Sequence, residues 1–282
     1  MPPNMRQEEI LELVASMGVA TTRELSGHLG VSEMTVRRDL QVLEDGGLVR
    51  RIHGGATVPA SPSDRSFRER RGIRLSQKRA IGRGASGLIK DGQTIILDAG
   101  TTTLEIAHQL TGRSKLTVIT NSLRVLDALA GSPQISVVAT GGNLKHRELA
   151  FVGPTAVRML SDRRADLAFI SASGVLVGDG PTDYDDVEVA VKRAMIEASA
   201  QQYVVVDSSK FGVVCPVLIA HMEIFHGVVT DAELPGSTHN DIRHAGLDVV
   251  VGSLPALSEA SWWQSQSDDQ GGLVSTHGAR DH

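Results

Sequence analysis

The most informative segment of the chain reads Val31-Ser32-Glu33-Met34-Thr35-Val36-Arg37-Arg38-Asp39-Leu40. Serine is a favourable N-cap residue, so Ser32 predicts that a helix begins directly after it. Residues at intervals of four and three positions along this helix are apolar, which predicts one buried face. These apolar residues are Val36, Leu40 and Leu43. The segment therefore predicts an amphipathic helix that packs on a small core.

The other faces of this helix carry polar and cationic side chains. Thr35 is small enough to contact a base or the DNA backbone, and Arg37 and Arg38 can reach phosphates or form paired hydrogen bonds with guanine. Asp39 is expected to orient one of these arginines through an ion pair. The N–H groups that follow Ser32 can approach a phosphate. Taken alone, the segment is equally consistent with an ordinary solvated helix.

The flanking sequence decides between these alternatives. Upstream, Thr21 and Glu24 have the spacing of a capping box that begins a shorter helix, and an apolar helical pattern precedes them. Downstream, residues 48–58 read as a strand, a tight Gly-rich turn and a second strand. Three helices followed by a hairpin predict a winged helix-turn-helix over residues 1–58. The residues that we expect to contact DNA are Ser32, Thr35, Arg37, Arg38, Arg50, Arg51, His53 and Gly54.

The charge distribution supports a local contact with nucleic acid. Residues 1–80 carry 13 basic and 10 acidic side chains, whereas the rest of the 282-residue chain carries 15 basic and 23 acidic ones. The net charge is therefore +3 at the N-terminal end and −8 over the remainder. A basic end on an acidic body indicates a DNA-binding surface confined to that end.

The composition is that of a globular protein with 41% hydrophobic residues. Cys215 is the only cysteine, so no internal disulfide can form, and we interpret it as a small buried apolar residue. We find no clustered metal ligands and no cofactor motif, and expect neither a metal nor a cofactor. The first residues lack a signal-peptide pattern, and no apolar run is long enough for a membrane span. We therefore expect a cytoplasmic protein that does not contact a membrane.

Composition also suggests the domain boundaries. Residues 59–77 are predicted to be a linker, because Pro59–Asp64 is rich in proline and serine and Arg65–Arg74 is charged with little apolar face. The charged run is interpreted as a solvated connector; a helix, and packing between the domains, are the alternatives. Residues 78–256 form a second domain, and the polar residues 257–282 are predicted to be a disordered tail.

The second domain alternates between strand and helix patterns. Helical patterns at Thr102–Leu110, Leu123–Ala130 and Val187–Ala200 lie between runs of apolar and β-branched residues. This alternation predicts a mostly parallel sheet covered by helices. The expected strands are Thr94–Leu97, Leu116–Thr120, Ile135–Thr140, Asp166–Ser171, Tyr203–Asp207, Gly227–Thr230 and Leu247–Val251.

Polar residues follow four of these strands. Asp98-Ala99-Gly100-Thr101-Thr102-Thr103 leads from a strand into a helix, where free N–H groups and hydroxyls suit an anion, although the same residues can simply cap the helix. Each of the other three strand ends can be ordinary turn chemistry. Together, however, they predict one polar crevice at the carboxyl edge of the sheet. The other three are Thr120-Asn121-Ser122, Thr140-Gly141-Gly142-Asn143 and Asp207-Ser208-Ser209-Lys210.

The combination of motifs from Arg6 to Ala56 resembles the DeoR family of bacterial regulators, and the resemblance continues to about Val251. It is carried by Glu24-Leu25, Val31-Ser32, Thr35–Leu40, Leu43-Glu44, Gly47 and Arg51-Ile52-His53-Gly54-Gly55-Ala56. The resemblance implies that the second domain has a fold similar to ribose-phosphate isomerase and binds a phosphorylated sugar or polyol.

The resemblance also implies which residues bind this effector. The Gly100-Thr101-Thr102 loop corresponds to the family's phosphate loop, and Glu188 and Lys192 match a Glu…Lys pair on a helix. Around that pair, Asp183-Tyr184-Asp185-Asp186 is more acidic than the family pattern, and we interpret it as a solvated loop rather than a contact with sugar hydroxyls. The residues assigned to the effector site are Asp98, Gly100, Thr101, Thr102, Asn121, Gly141, Gly142, Glu188, Asp207 and Lys210.

These observations predict a transcriptional repressor of carbohydrate metabolism genes, which a phosphorylated sugar or polyol releases from operator DNA. One winged helix covers little DNA, so we expect a homo-oligomer, either a dimer or a tetramer. We assign no catalytic residue. The alternatives are a sugar-phosphate isomerase fused to a DNA-binding domain, with Asp98, Asp207, Glu188 and Lys210 as acid–base groups, or a DNA-binding protein whose second domain is only structural.

Overall fold

The computed structural model describes residues 3–45, 49–57 and 65–253. The N-terminal part contains helices α1 (Pro3–Met17), α2 (Thr22–Leu29) and α3 (Glu33–Asp45), and strands β1 (Val19–Thr21), β2 (Arg50–Ile52) and β3 (Gly55–Thr57). The strands form one antiparallel sheet in the order β1-β3-β2. This arrangement is the predicted winged helix-turn-helix, with the β2–β3 hairpin as the wing.

A compact apolar core holds the three helices and the wing together. The predicted face of α3 is buried, since Val36 and Leu40 are 0% exposed, and it packs with Ile10 and Val14 of α1. The predicted capping box is confirmed: the Thr21 hydroxyl accepts the N–H of Glu24, and the Glu24 carboxylate accepts the N–H of Thr21. These contacts fix the start of α2.

The second part begins with helices α4 (Phe67–Gly72) and α5 (Leu75–Ser86) and then alternates strands with helices. A seven-stranded sheet forms its centre, and its strands are β4 (Thr94–Leu97), β5 (Leu116–Thr120), β6 (Ile135–Ala139), β9 (Ala165–Ile170), β12 (Ser199–Val205), β14 (Gly227–Asp231) and β15 (Asp248–Gly252). The strand order is β15-β14-β12-β9-β4-β5-β6, and every neighbouring pair is parallel. All seven expected strands are present, which confirms the predicted α/β class.

Helices cover both faces of this sheet, because alternate strand residues point to opposite sides. Ile95 and Leu97 pack on the side of α5, α6 (Thr101–Leu110) and α7 (Leu123–Leu129), whereas Ile96 packs on the other side. That other side holds α8 (Pro154–Ser161), α9 (Asp186–Glu197) and α10 (Gly236–His244). Helix α9 ends at Glu197 rather than at the predicted Ala200, because pairing of β12 with β9 already begins at Ser199.

Two small antiparallel sheets were not predicted from the sequence. The hairpin of β7 (Asn143–Lys145) and β8 (Ala150–Val152) lies beside the end of β5, where Ser122 bridges to Ala150. Strands β10 (Gly174–Leu176), β11 (Gly180–Asp183) and β13 (Val217–Leu218) form the other sheet. Their strands are two to four residues long, too short to give a recognisable alternation.

The charged run before α5 is not a solvated connector, which corrects the interpretation of Arg65–Arg74. Ser66 caps α4 and forms a capping box with Glu69, and Phe67 is only 2% exposed. Arg70 and Arg74 form ion pairs with the α/β part. The Pro59–Asp64 segment, the Gly46-Gly47 stop and the predicted tail at 257–282 lie outside the described residues.

Two further expectations concern the described residues only. Cys215 is buried, as predicted. None of the helices within residues 3–45, 49–57 and 65–253 combines the length and apolarity that a membrane crossing requires.

Candidate functional site

The predicted DNA-contacting residues lie on the open side of α3. The Ser32 hydroxyl accepts the N–H of Thr35 at 3.2 Å and caps the helix as expected. Arg37 and Arg38 are exposed and point away from the buried face. Arg37 forms a 3.4 Å ion pair with Glu33 one turn earlier, and both side chains are about half exposed. This exposed, cationic helix face is available to a DNA groove.

The wing places further cations beside α3. Gly54 adopts a φ of 80° in the turn, and its carbonyl accepts the N–H of Thr22 at 2.7 Å. Arg51 is tied back to α3, since its guanidinium donates to the Gln41 side chain at 2.8 Å. Arg50 and His53 are exposed. The hairpin therefore presents its cations on a rigid turn anchored to α2 and α3.

The predicted role of Asp39 is wrong. Its carboxylate is buried and pairs with Arg6 of α1, with Nε to Oδ2 at 2.5 Å, rather than with an arginine of its own helix. Arg6 lies 33 positions away in sequence, which local spacing could not reveal. Asp39 therefore joins α1 to α3, and Arg37 and Arg38 remain directed outward.

The α/β part contains a cavity of about 440 Å³ at the carboxyl edge of the sheet. Its wall combines the start of α6, the start of α9, the residues after β12, the β7–β8 hairpin and the α4 segment. Seven cationic side chains line it, together with five carboxylates. The cations are Arg65, Arg70, Lys78, Lys145, Arg147, Lys192 and Lys210, and the carboxylates are Glu148, Asp183, Asp185, Glu188 and Asp207.

The start of α6 forms one wall with unoccupied backbone donors. Gly100 is the N-cap residue and no side chain caps the helix, so the first N–H groups have no intrahelical acceptor. Thr101 and Thr102 line the cavity, whereas the Thr103 hydroxyl donates to the carbonyl of Asp98 at 2.6 Å. A Cβ at Gly100 would lie 2.8 Å from the Ser171 hydroxyl, so only glycine allows this close approach.

A buried ion pair lies beneath the cavity. Lys192 of α9 is 2% exposed, pairs with Asp98, and lies 3.5 Å from Asp183. Its ammonium also donates to the Ser171 carbonyl at 3.0 Å. Burial alone would lower the pKa of Lys192, but the carboxylates of Asp98, Asp183 and Glu188 outweigh burial and raise it. The lysine therefore stays charged and holds Asp98 in place.

A second pair closes the α9 side of the cavity. Lys145 from the β7–β8 hairpin lies 2.8 Å from Asp185 and 2.5 Å from Glu188. Burial opposes the charge of Lys145, but these two carboxylates raise its pKa. Burial raises the pKa of Glu188, although Lys145 acts in the opposite direction. The pair ties the hairpin to the first turn of α9.

The residues after β12 form the remaining wall. Asp207 pairs with Arg74 at 3.0 Å and accepts the N–H of Ser209 at 3.1 Å. Lys210 lines the cavity and makes no ion pair with any residue that the structure describes. Lys78 of α5 is buried, and its ammonium donates to the carbonyl of Arg70 at 2.6 Å. Two lysines thus face the cavity without a direct carboxylate partner among those residues.

The cavity includes most of the residues predicted for the effector. Asp98 lies behind the wall, bound to Lys192. Asn121, Gly141 and Gly142 do not line the cavity, which corrects their expected position. Asn121 and Gly142 pack against the β7–β8 hairpin instead. The Asn121 side chain donates to the Phe151 carbonyl at 3.3 Å, and a Cβ at Gly142 would lie 2.5 Å from the Val152 carbonyl oxygen. The predicted residues that line the cavity are Gly100, Thr101, Thr102, Glu188, Asp207 and Lys210.

The acidic loop before α9 was predicted to be solvated, but most of it lies in the cavity wall. Asp183, Tyr184 and Asp185 line the cavity and are half-buried, and only Asp186 is exposed as a solvated loop would be. The sequence analysis also missed several cations of the wall. Arg65 and Arg70 were read as part of a linker, Lys145 and Arg147 lie in a hairpin that was not recognised, and Lys78 lies at the predicted domain boundary. Within the described ranges, no group of three His, Cys, Asp or Glu residues could hold a metal ion.

Both parts of the chain match known protein families. The family described as "DeoR-like helix-turn-helix domain" matches residues 6–62, and the "DeoR C terminal sensor domain" matches residues 73–232. The chain belongs to the DeoR family. An uncharacterised HTH-type transcriptional regulator of Escherichia coli, YgbI, is 38% identical over 89% of this chain and 98% of that protein.

Two relatives with more specific names extend the comparison. The glycerol-3-phosphate regulon repressor of Escherichia coli is 34% identical over 84% of this chain and 94% of its own length. The regulator GolR of Listeria innocua is 34% identical over 89% of this chain and 99% of its own. This DeoR-family protein is therefore a DNA-binding transcriptional regulator.

Solved structures give a weaker likeness. A ribose 5-phosphate isomerase from Methanocaldococcus jannaschii has 19% identity to this chain, covers 49% of it and 54% of its own chain, and gives a TM-score of 0.37. A likeness at this level carries no argument about activity.

Proposed function

We propose that this DeoR-family regulator is a repressor of carbohydrate metabolism genes, released from its operator by a phosphorylated sugar or polyol bound in the cavity. The observation that carries the proposal is the uncapped start of α6 in the cavity wall. Free N–H groups and the positive end of the helix dipole favour an anion. Lys78 and Lys210 add cationic charge to the same cavity.

The remainder of the cavity suits the polar part of such a ligand. Carboxylates are good acceptors for sugar hydroxyls, and Asp183, Asp185 and Glu188 line the same cavity. The family resemblance supports the same assignment. The relative named as a glycerol-3-phosphate regulon repressor has a regulon named for a phosphorylated polyol.

An enzyme with isomerase activity is less well supported. A general base needs a carboxylate that is free to accept a proton, yet Asp98 is held by Lys192, Asp207 by Arg74 and Glu188 by Lys145. The named relatives are also transcriptional regulators. Incubation of the pure protein with pentose phosphates tests the alternative directly, and formation of an isomer at a steady rate would establish it.

The ligand class can be tested by thermal shift. We expect sugar phosphates or polyol phosphates to raise the melting temperature, because a ligand that binds only the folded state stabilises it. Each compound is measured beside its unphosphorylated parent. If the parents stabilise the protein equally well, the phosphate is not recognised and the proposal fails.

Thr101→Ala tests the phosphate loop. Loss of one hydrogen bond to a charged group costs about 1.5–3 kcal/mol, so we expect effector binding to weaken about ten- to a hundredfold. Operator affinity without effector should stay unchanged, because Thr101 lies outside the winged helix. Calorimetric titration of both proteins measures the difference, and equal effector affinity would contradict the assignment.

The protein is further proposed to act in the cytoplasm as a homo-oligomer, either a dimer or a tetramer. Two winged helices on half-sites about 34 Å apart, or a multiple of this distance, give useful affinity for a repeated operator. Light scattering of the free protein, together with footprinting on operator DNA, tests this. A monomer bound to one isolated half-site would contradict it.

A further inference from the structure

Helix α4 brings the chain from the winged helix into the α/β part, and it also lines the cavity. The N–H of Phe67 donates to the Arg147 carbonyl at 3.0 Å, and Arg70 pairs with Glu148. Arg70 and Glu148 are both in the cavity wall. The buried Nε of Arg70 has no acceptor among the described residues. The segment that leads to the DNA-binding module is therefore in direct contact with the space that a ligand would fill.

Lys78 also lines this cavity, and it contacts helix α4. It lies in the first turn of α5 and is 5% exposed. Its ammonium donates to the Arg70 carbonyl at 2.6 Å, in the last turn of α4. No carboxylate of the described residues forms an ion pair with it. Lys78 therefore holds α4 through one hydrogen bond to a neutral acceptor, and an anion in the cavity would offer its ammonium group a charged acceptor instead.

The surroundings of Lys78 favour such an exchange of partners. The charged groups that act on it are Asp207 and Lys210 after β12, Arg70 of α4 and Glu105 of α6. Burial lowers the pKa of Lys78 to about 8, and Lys210 and Arg70 act in the same direction. Asp207 and Glu105 act in the opposite direction and compensate the charge of Lys78 only in part, so a ligand anion would stabilise the charged lysine further.

We propose that Lys78 couples the cavity to the DNA-binding module: it holds the Arg70 carbonyl and the last turn of α4 when the cavity is empty, and it turns to the anion when the cavity is filled. Loss of this hydrogen bond loosens α4, through which the winged helix is attached. The inference rests on the proposed function, because it takes the anion to bind at the start of α6. It adds to that function the residue that transmits anion binding from the cavity to helix α4.

Hydrogen exchange of the full chain tests the coupling without knowledge of the operator. Inorganic phosphate is the probe, and its binding is first measured by calorimetry. We expect bound phosphate to accelerate amide exchange in residues 66–74 of the wild type by about tenfold or more, since local opening sets these rates. Phosphate that binds without changing exchange in residues 66–74, or that slows it, would overturn the inference.

Variants separate coupling from binding. In Lys78→Met we expect fast exchange in residues 66–74 even without phosphate, and no further change on adding it. In Thr101→Ala we expect slow exchange as in the wild type, with weakened phosphate binding. Lys90→Met, an exposed lysine outside the cavity wall, is the matched control and should behave as the wild type. Wild-type exchange rates in residues 66–74 of folded Lys78→Met would refute the role of Lys78.

Sulfate binding provides a readout that does not depend on α4. Sulfate does not titrate between pH 7 and 9, so any change in its affinity over this range comes from titration of groups on the protein. With a pKa of about 8 for Lys78, we expect sulfate to bind the wild type about tenfold more weakly at pH 9 than at pH 7, and Lys78→Met to lose most of this dependence. Equal pH dependence in both proteins would contradict an anion contact by Lys78. Absence of any phosphate or sulfate binding to the wild type would instead reject the proposed function, and the inference with it.

If Lys78→Met does not fold, Lys78→Gln serves in its place. Glutamine keeps an N–H donor, one bond shorter in reach than the lysine ammonium, and carries no charge. We expect it to exchange slowly in residues 66–74, as the wild type does without ligand, and to remain slow when phosphate is added. Acceleration by phosphate in Lys78→Gln would show that another group transmits binding.

Discussion

At the scale of single residues, the two sites of the molecule use arginine and lysine differently. Arg37 and Arg38 of α3 are exposed, and the ion-pair partner of Arg37, Glu33, is exposed as well. In the cavity, by contrast, Lys192 is buried and paired with Asp98, and Lys145 is paired with Asp185 and Glu188. Exposed pairs exchange partners at little cost, whereas a buried pair holds its geometry. This difference suits a surface that binds DNA and a cavity that must stay formed.

Arg38 should matter more for DNA binding than Arg37. We expect Arg38→Ala to weaken binding to an operator fragment selected from random DNA by about 1–3 kcal/mol. Arg37→Ala should cost less, since Arg37 gives up its contact with Glu33 on binding. Fluorescence anisotropy measures both, with Arg158→Ala on the exposed side of α8 as control. Unchanged DNA affinity in both variants would remove α3 from the interface.

Lys78 should make stability depend on pH in the alkaline range. The pKa of Lys78 is about 8 in the folded chain instead of the ordinary 10.5, so between these values the unfolded chain binds more protons. The free energy of unfolding therefore rises as pH increases through this window, by about 1 kcal/mol between pH 8 and 9, and the burial penalty is present in full below pH 8. Urea unfolding of the wild type and of Lys78→Met measures this, and parallel curves for the two proteins would contradict it.

At the scale of elements, glycine decides how closely two segments approach. In the wing, Gly55 packs on β1 so tightly that a Cβ would lie 2.2 Å from the Ala20 carbonyl oxygen. By contrast, Gly27 in α2 has no atom within 4 Å of the position a Cβ would take. The two positions distinguish a required glycine from a permissive one within the same module.

This contrast predicts opposite effects of the same substitution. Gly55→Ala should destabilise the winged helix by about 1–3 kcal/mol, because the backbone of β1 must move. Gly27→Ala should stabilise it by about 0.5–1 kcal/mol, because alanine is the better helix former. Thermal melting followed by circular dichroism compares them. A Gly55→Ala protein as stable as the wild type would show that the β1–β3 contact is adjustable.

At the scale of the whole molecule, the DNA site and the cavity must be linked in both directions. If the effector weakens operator binding tenfold, operator DNA must weaken effector binding tenfold, a coupling of about 1.4 kcal/mol. Titration of effector with and without saturating operator measures the second factor, and anisotropy measures the first. Equal effector affinity in the two titrations would mean that the cavity does not regulate DNA binding.

The sequence by itself determined the two-part organisation and the order of elements. Val36, Leu40 and the seven apolar runs were found because periodicity in a helix or strand is a local property of the chain. The α6 loop at Gly100–Thr102 was also found, since a strand, a glycine and hydroxyls follow one another directly. The α3 segment and the Gly100–Thr102 loop are each contiguous in sequence, which is why the family could be recognised.

Only the tertiary structure decided which side chains meet. Arg70 and Glu148 are 78 positions apart and Lys192 and Asp98 are 94 apart, so no local pattern could pair them. Helix α4 has one large apolar residue, Phe67, and the strands of the β7–β8 hairpin are only three residues long, so their place in the cavity wall depends on these long-range contacts. The same reason explains why Asp39 pairs with Arg6 and why the hairpin, rather than a ligand, meets Asn121 and Gly142.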